Sequence, residues 1–468
     1  RSTLFPYTTL FRSGRRGWKG SYAAIRKANI VLSKVDLIPN YDGEKKNRVL
    51  GQAYFFRALQ YFDLIRSYGD VPYVDKPLSL SDQEGIVRTP REEVYGKVMQ
   101  DFDKAIEYLP KSWSASEYGR VTKGAALAMK ARAALYYGKW DVAAESAKKV
   151  MDLNEYNLYD EQNTGKYQEL FWEKADGCKE FILVKQFKEA ENSWFLIGWE
   201  AFPTKGWGGI NPTQSLVDAF EDIEGAPIAK STLYDPKKPF EKRDPRLEVN
   251  VLHHGETLYG VTINVAPLKS AAPTGIGQHG DATATGYYQQ KWLDPSIDPS
   301  SKGWDMGKDA VVIRYAEVLL TYAEAKNELS PLDDEAFKAV NAVRKRVGMP
   351  ELQKTDASKP TYCGTQDDLR QRIRNEWRVE FALEGGKRQW DIRRWGIAKK
   401  VLNEPFLGLK YKLVDSSDAK EGDGGKICIL YEGENVKLTG SKYEDHNYVY
   451  PIPQEERDLN PALTQNPG

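Results

Sequence analysis

The sequence predicts an all-α protein, a helical-repeat scaffold of about four helix pairs that carries a large irregular, loop-rich region. Three observations predict it. Apolar residues recur at helical spacing on both sides of a central stretch, residues 156–306, which has few such periods. Ala-rich helices meet at short turns in two places, at Gly138-Lys139-Trp140 and at Ser330-Pro331. The 12 Trp and 27 Tyr exceed what a core requires, and many stand among Gly and Pro.

Residues 18–35 place Tyr22, Ile25, Asn29, Leu32 and Val35 at helical spacing, and Pro39-Asn40 stops the run. Residues 44–68 form a stronger helix, with Leu50, Ala53, Tyr54, Ala58, Tyr61, Phe62 and Ile65 in one broad stripe. Tyr68-Gly69-Asp70-Val71-Pro72 ends it with a Gly C-cap and a Pro stop. Thr89-Pro90 is expected to open the next helix, with Thr as N-cap, Pro in the first turn and Glu92 and Glu93 near the positive end. That helix runs to about Leu109.

Residues 121–150 read as one hairpin. Ala125, Ala128, Ala131 and Ala134 face Ala143, Ala144 and Ala147, and small residues on facing helices allow the close packing of tetratricopeptide-type pairs. Residues 315–347 repeat the plan. Further on, Leu369, Ile373, Trp377 and Phe381 line one side of a helix that Gly385-Gly386 interrupts, and Trp390, Ile392 and Trp395 resume the pattern. Glu376, Glu380, Glu384, Arg388, Asp391, Arg393 and Arg394 crowd the same turns. Charge this dense beside large aromatics predicts an ion-pair network clamped over a core.

The expected organisation is a non-native artefact over 1–13, N-terminal tetratricopeptide-like helices over 14–155 and an irregular ligand-binding region over 156–308. C-terminal helices over 309–402 and a loop-rich segment over 403–468 complete it. Residues 1–13, RSTLFPYTTLFRS, show neither helical nor strand periodicity and read as translated adapter text. Within the irregular region, residues 181–187 form a short β-like run.

Composition excludes several classes. Lys+Arg and Asp+Glu are equal at 67 each, which argues against nucleic-acid or electrostatic membrane binding. Cys178, Cys363 and Cys428 are too few and too far apart for a disulfide framework or a zinc motif. No apolar run is long enough to span a bilayer. Gly275-Ile276-Gly277-Gln278-His279-Gly280 matches G-x-G-x-x-G but lacks the strand before and the helix after, so no dinucleotide site is expected. His253-His254 are adjacent, their rings should diverge, and neither a metal site nor a cofactor is expected. Residues 415–425 are acidic and Gly-rich without calcium-loop spacing, and read as a solvated loop.

One catalytic pattern stays open. Glu317 and Glu324 share a helix face, as a glycosidase pair would, although salt-bridging to Arg is the commoner role for such residues. The aromatics carry more. Trp194, Phe195, Trp199 and Trp207 fall within one short stretch interrupted by Gly198, Pro203, Gly206, Gly208 and Gly209. Such rings can stack on the C–H face of a sugar, or they can seal loops onto the helices. Each good aromatic contact contributes about 1 kcal/mol beyond area burial, so a few of them yield roughly millimolar to micromolar capture. Trp194, Trp199, Trp207 and Tyr287 are the candidate ligand-binding residues, and Trp292 is assigned to structure.

Residues 48–72, RVLGQAYFFRALQYFDLIRSYGDVP, and 375–396, NEWRVEFALEGGKRQWDIRRWG, resemble two motifs of the SusD/RagB family. Pro212-Thr213 to Phe220 with Arg243-Asp244-Pro245-Arg246 are similar to its middle section. Arg314-Tyr315-Ala316-Glu317 and Asn341-Ala342-Val343-Arg344 resemble its C-terminal helix pair, and Tyr450-Pro451-Ile452-Pro453 with Asn460-Pro461 its closing motif. Gln52 replaces the usual Glu, and Gly386-Lys387 stands where His-Arg or Asn-Arg is common. The resemblance implies a SusD-like scaffold and a non-catalytic protein. It would capture oligosaccharides or polysaccharides as an outward-facing outer-membrane lipoprotein of Bacteroidetes, and deliver them to a SusC-like TonB-dependent channel. The lipidated Cys that the resemblance implies is absent from this sequence. Peptide capture is the alternative within the family; a glycosidase and a purely protein-binding helical scaffold are alternatives outside it.

Overall fold

The computed structural model describes residues 5–41, 43–79, 85–194, 201–302, 304–440 and 442–467, with side chains from Gly17 onward. The chain divides into two compact units, one comprising Arg1–Glu155 with Tyr443–Gly468 and the other Tyr156–Lys442.

The first unit holds α1 (Phe5–Lys34), α2 (Gly43–Tyr68), α3 (Arg91–Tyr108), α4 (Lys123–Tyr136) and α5 (Trp140–Asp152). Each packs on its chain neighbour as antiparallel repeats do, α1 on α2, α2 on α3 and α4 on α5. The Ala stripe has the predicted consequence: Ala125, Ala134, Ala143 and Ala147 are fully buried, so the α4 and α5 backbones approach closely. Thr122 caps α4 by accepting from the Ala125 amide at 3.1 Å. Arg57 on α2 donates twice to Asp101 on α3, at 2.7 Å each, and once to Asn29 on α1 at 2.9 Å. One buried guanidinium thereby ties three helices together.

Two expectations differ here. α1 starts at Phe5, ahead of the apolar pattern that begins near Trp18 and inside the segment read as aperiodic. Thr89 does not cap α3; it exchanges backbone hydrogen bonds with Val71, and Pro90 takes the N-cap position without a side-chain bond. The tertiary pairing outcompetes the local cap. The closing motif is held by amide side chains. Asn466 donates to the Tyr68 and Tyr450 carbonyls at 2.8 and 2.7 Å, and Asn460 to the Ile86 carbonyl at 2.8 Å.

The second unit opens with β1 (Phe181–Lys185), α6 (Gln214–Val217), α7 (Arg246–Asn250), β2 (Val251–Leu252), β3 (Thr257–Leu258), β4 (Val261–Thr262) and β5 (Tyr288–Gln289). It continues with α8 (Pro299–Lys302), β6 (Ala310–Arg314), α9 (Tyr315–Leu329), α10 (Asp334–Lys345), α11 (Gln366–Glu380), α12 (Lys387–Arg394) and α13 (Ala398–Leu402). β1 pairs antiparallel with β6, which feeds directly into α9. α9 packs on α10 and α11. α11 ends at Glu380, somewhat before Gly385-Gly386, and Gly386, at φ +69° in the left-handed region that Gly adopts freely, is the N-cap of α12.

The predicted ion-pair network is present. Glu376, Glu380 and Glu384 meet Arg246 from α7, Arg314 from the end of β6, and Arg344 and Arg346 from the end of α10. All seven are buried. Arg314 bonds Glu180 at 2.7 Å and Glu380 at 2.6 Å, and lies 4.3 Å over the Phe381 ring. Burial alone would raise the Glu380 carboxyl, but Arg346, Arg314 and Arg246 hold it well below the usual range. Burial pulls the Lys291 ammonium down to about 8, although it donates to Glu384 at 2.7 Å and to two carbonyls.

The C-terminal part of this unit is not loop-like, as its Gly and charge content predicted. β7 (Phe406–Asp415), β8 (Lys426–Leu430) and β9 (Glu434–Leu438) form a three-stranded antiparallel sheet with β7 in the middle. Both faces carry polar residues, so strand alternation is weak, and the β7–β9 register shifts between Leu407 and Lys410. The acidic loop after β7 is also tethered: Asp423 accepts from the Ser270 amide at 2.8 Å and hydroxyl at 2.6 Å.

Candidate functional site

The irregular region of the second unit sorts its aromatics into two environments. Trp194 faces inward. Its backbone exchanges hydrogen bonds with Met306, and its ring stacks on Phe187 and leans on Trp292, with both centroids at 5.7 Å. Trp292 is 6 % exposed and donates from Nε1 to the Leu383 carbonyl at 3.0 Å, the structural role expected of it. Tyr287 is also enclosed, at 1 % exposure. Its hydroxyl donates to Gln214 at 2.6 Å, and burial pushes its pKa well up. Tyr287 presents no open ring face, whereas Trp194 is half-buried against the core. Trp199 and Phe195 lie outside the described residues.

Trp207 faces outward, 47 % exposed, and packs edge-on against Trp304, 38 % exposed, with ring centroids 4.7 Å apart. Trp304 was not among the predicted residues. A signal for it exists, since Lys302-Gly303-Trp304 repeats the Lys205-Gly206-Trp207 pattern. Spacing rules cannot join two loops nearly a hundred positions apart; only the fold can.

The turn that carries Trp207 is built tightly. Lys205 and Gly206 both donate their amides to the Phe202 carbonyl, and Gly208 donates to that of Ala201. Gly208 sits at φ +53°, and a Cβ there would lie 2.4 Å from the Asp281 carbonyl oxygen. Only Gly fits that backbone approach. Asn211 then links the turn to the next loop, donating to the Gly208 carbonyl at 3.0 Å and accepting from the Ala284 amide at 2.9 Å. On the other side, Lys205 reaches Asp298 at 3.1 Å. Ser300, donating from its hydroxyl and its amide, and Lys205 lower the Asp298 carboxyl below its ordinary range. The result is an exposed, preorganised Trp pair flanked by an ion pair.

The two carboxylates considered for glycoside chemistry are committed elsewhere. Glu324 takes both forks of Arg394, at 2.6 and 2.8 Å, and the Trp395 indole at 2.7 Å. Glu317 pairs with Lys387. Both are almost fully buried. A separate open groove of about 810 Å³, lined by Asn163, Asn341, Lys345 and Glu351 among others, has no aromatic ring in its wall. No described helix is long and apolar enough to cross a membrane.

Comparison with known proteins agrees with this architecture. Residues 179–468 match the model of the SusD family, and residues 13–135 match one described as "Starch-binding associating with outer membrane". The SusD-like protein P2 of Formosa agariphila is 30 % identical over 392 residues, covering 82 % of this chain and 72 % of its own. A SusD-like carbohydrate binding protein from Bacteroides fragilis superposes with a TM-score of 0.80 at 28 % identity, over 96 % of this chain and 86 % of its own. A second SusD-like protein from Bacteroides fragilis also reaches a TM-score of 0.80, at 29 % identity over 97 % and 86 %. These matches place the chain in the SusD/RagB family.

Proposed function

We propose that this chain captures glycans at the outer membrane without cleaving them, and that the Trp207–Trp304 pair is the surface that first holds the sugar. One observation carries the reading: two Trp rings stand exposed side by side on a turn stiffened by Gly208 and Asn211. Indole faces stack on sugar C–H faces, and rings already fixed in place lose little freedom on binding. The neighbouring Lys205–Asp298 pair offers a donor and an acceptor for sugar hydroxyls. Support also comes from the family, since the Bacteroides fragilis neighbour is described as carbohydrate binding.

In this reading Trp194 and Tyr287 hold the loops that present the pair. The protein is anchored by a lipid and passes its cargo to a SusC-like TonB-dependent channel. Capture rather than cleavage accords with Glu317 and Glu324 being spent on ion pairs. The test is a retardation-gel and calorimetry screen of purified protein against plant and host polysaccharides, with a parallel assay for released reducing sugar. Weak binding without hydrolysis, lost in Trp207→Ala, is the expected result. Released sugar overturns the non-catalytic reading, and binding unchanged in both Trp207→Ala and Trp304→Ala overturns the site.

A further inference from the structure

Three metal-ligating side chains converge away from the Trp pair, in the segment from α7 to β3. Glu248 lies on α7, His253 follows β2, and Glu256 precedes β3. One ligand atom from each lies within 4.8 Å of the other two. His253 and His254 are adjacent and do not share a ligand position: His254 Nδ1 accepts from the Val265 amide. The partners of His253 are instead the glutamates on either side.

The geometry suits a metal ligand set. His253 Nδ1 lies 3.1 Å from the His254 carbonyl, which can only accept, so Nδ1 carries the hydrogen. In the neutral ring, Nε2 therefore presents a lone pair. It points at two carboxylates, Glu248 Oε2 at 3.3 Å and Glu256 Oε2 at 3.6 Å. Charge-assisted N–H···O bonds are about 2.7–2.9 Å, so these ion pairs are at the long end, with room for an ion between the groups. A tetrahedral Zn²⁺ with bonds of about 2.0–2.2 Å sets its ligands roughly 3.3 Å apart. The 3.3 Å separation from Glu248 matches that edge, and the 3.6 Å separation from Glu256 is slightly longer.

The supporting contacts also match. An imidazole donating its other nitrogen to a carbonyl is the usual way a metal-ligating His is oriented. The Phe240 ring, stacked at 3.6 Å and 20°, fixes the plane of His253. Glu256 is positioned by the His253 backbone amide at 2.7 Å. The Glu248 side chain is 47 % exposed, so solvent reaches the cluster.

We propose that Glu248, His253 and Glu256 bind a divalent transition-metal cation of the Zn²⁺ class, with solvent or an exogenous ligand as the fourth donor. Calcium and magnesium fit poorly, because both require mostly oxygen donors and more of them. A bound ion would clip α7 to the β3–β4 hairpin.

The experiment uses the tag-free full chain, stripped by chelator and titrated with ZnCl₂ by calorimetry, with CaCl₂ and MgCl₂ as comparisons. Co²⁺ loading supplies an optical readout of tetrahedral coordination. We expect one equivalent of Zn²⁺ at about micromolar Kd or tighter, no comparable uptake of Ca²⁺ or Mg²⁺, and weakening by about tenfold or more in Glu248→Gln and His253→Gln. Glu248→Gln alters an exposed side chain, so it stays informative if His253→Gln misfolds. Absence of Zn²⁺ uptake by the wild type overturns the proposal. So does uptake that Glu248→Gln leaves unchanged, which would place the ion at the cysteines or at His279 or His446.

Discussion

Arg246 and Glu380 stand 134 positions apart in the chain, yet Nη1 of the first donates to Oε2 of the second at 3.1 Å, and both side chains are wholly buried. Arg246 also grips Asp244 at 2.7 Å and Glu376, so one guanidinium joins α7 to α11. Fork geometry explains the choice of Arg: its donors lie in one plane and meet several carboxylate oxygens at once.

Arg246→Met should therefore destabilise the second unit by about 3–5 kcal/mol, because it strands carboxylates in the core. Arg246→Lys should recover only part of that, since a compact ammonium on a flexible stem cannot reproduce the planar fork that spans Asp244, Glu376 and Glu380. Urea unfolding at neutral pH measures both. A lysine variant as stable as the wild type would contradict the fork argument.

The depressed Glu380 and Glu384 carboxyls make an acid prediction. Their folded pKa values lie below the unfolded one, so the stability they contribute is complete above about pH 4.5. It is lost as pH falls through the folded values. The urea midpoint should hold between pH 7 and 5 and fall steeply beneath about pH 4. Because the charges are buried, 1 M NaCl should change the profile little. A midpoint flat down to pH 3 would falsify this account.

Exposed and enclosed aromatics should respond differently. Trp207→Ala and Trp304→Ala should each weaken glycan binding by about 1 kcal/mol, roughly fivefold, while moving stability by about 0.5 kcal/mol or less. Trp194→Ala, emptying a place against Phe187 and Trp292, should instead cost about 2–4 kcal/mol of stability. Calorimetry paired with thermal unfolding separates the two behaviours. Equal loss of stability in all three variants would refute the division.

Gly208→Ala adds a methyl where the Asp281 carbonyl leaves no room, at a positive φ. The turn must shift, at about 1–3 kcal/mol. Binding should fall with Trp207 itself untouched, and hydrogen exchange should rise at the Gly206 and Gly208 amides. Unaltered affinity would mean that the turn does not position the ring.

The helices were legible because their information is local. The Ala stripe of α4 and α5, the stripe of α2 and the Gly385-Gly386 break each fall within a few turns of chain, and the structure has them at or close to where the pattern puts them. The charged stretch at Glu376–Arg394 announced a buried network, although it could not name Arg246, Arg314 or Arg346 as partners. β7 to β9 were illegible for the opposite reason: strands with polar residues on both faces lack a strong period, and their partners are set by tertiary pairing.

By itself, the sequence determined the helical class, the hairpins, the irregular insert and the family, because helix periodicity and motif order need no knowledge of distant contacts. Tertiary structure alone decided which aromatics face solvent. Trp194 and Trp207 share one Gly- and Pro-punctuated stretch, but the first packs half-buried on Phe187 and Trp292, whereas the second meets Trp304 at the surface. The same holds for the Glu248, His253 and Glu256 cluster, whose ligand geometry depends on ring tautomer and on β2 and β3 bringing the turn back to α7. Ring exposure and donor convergence are properties of neighbours in space, and the chain order does not contain them.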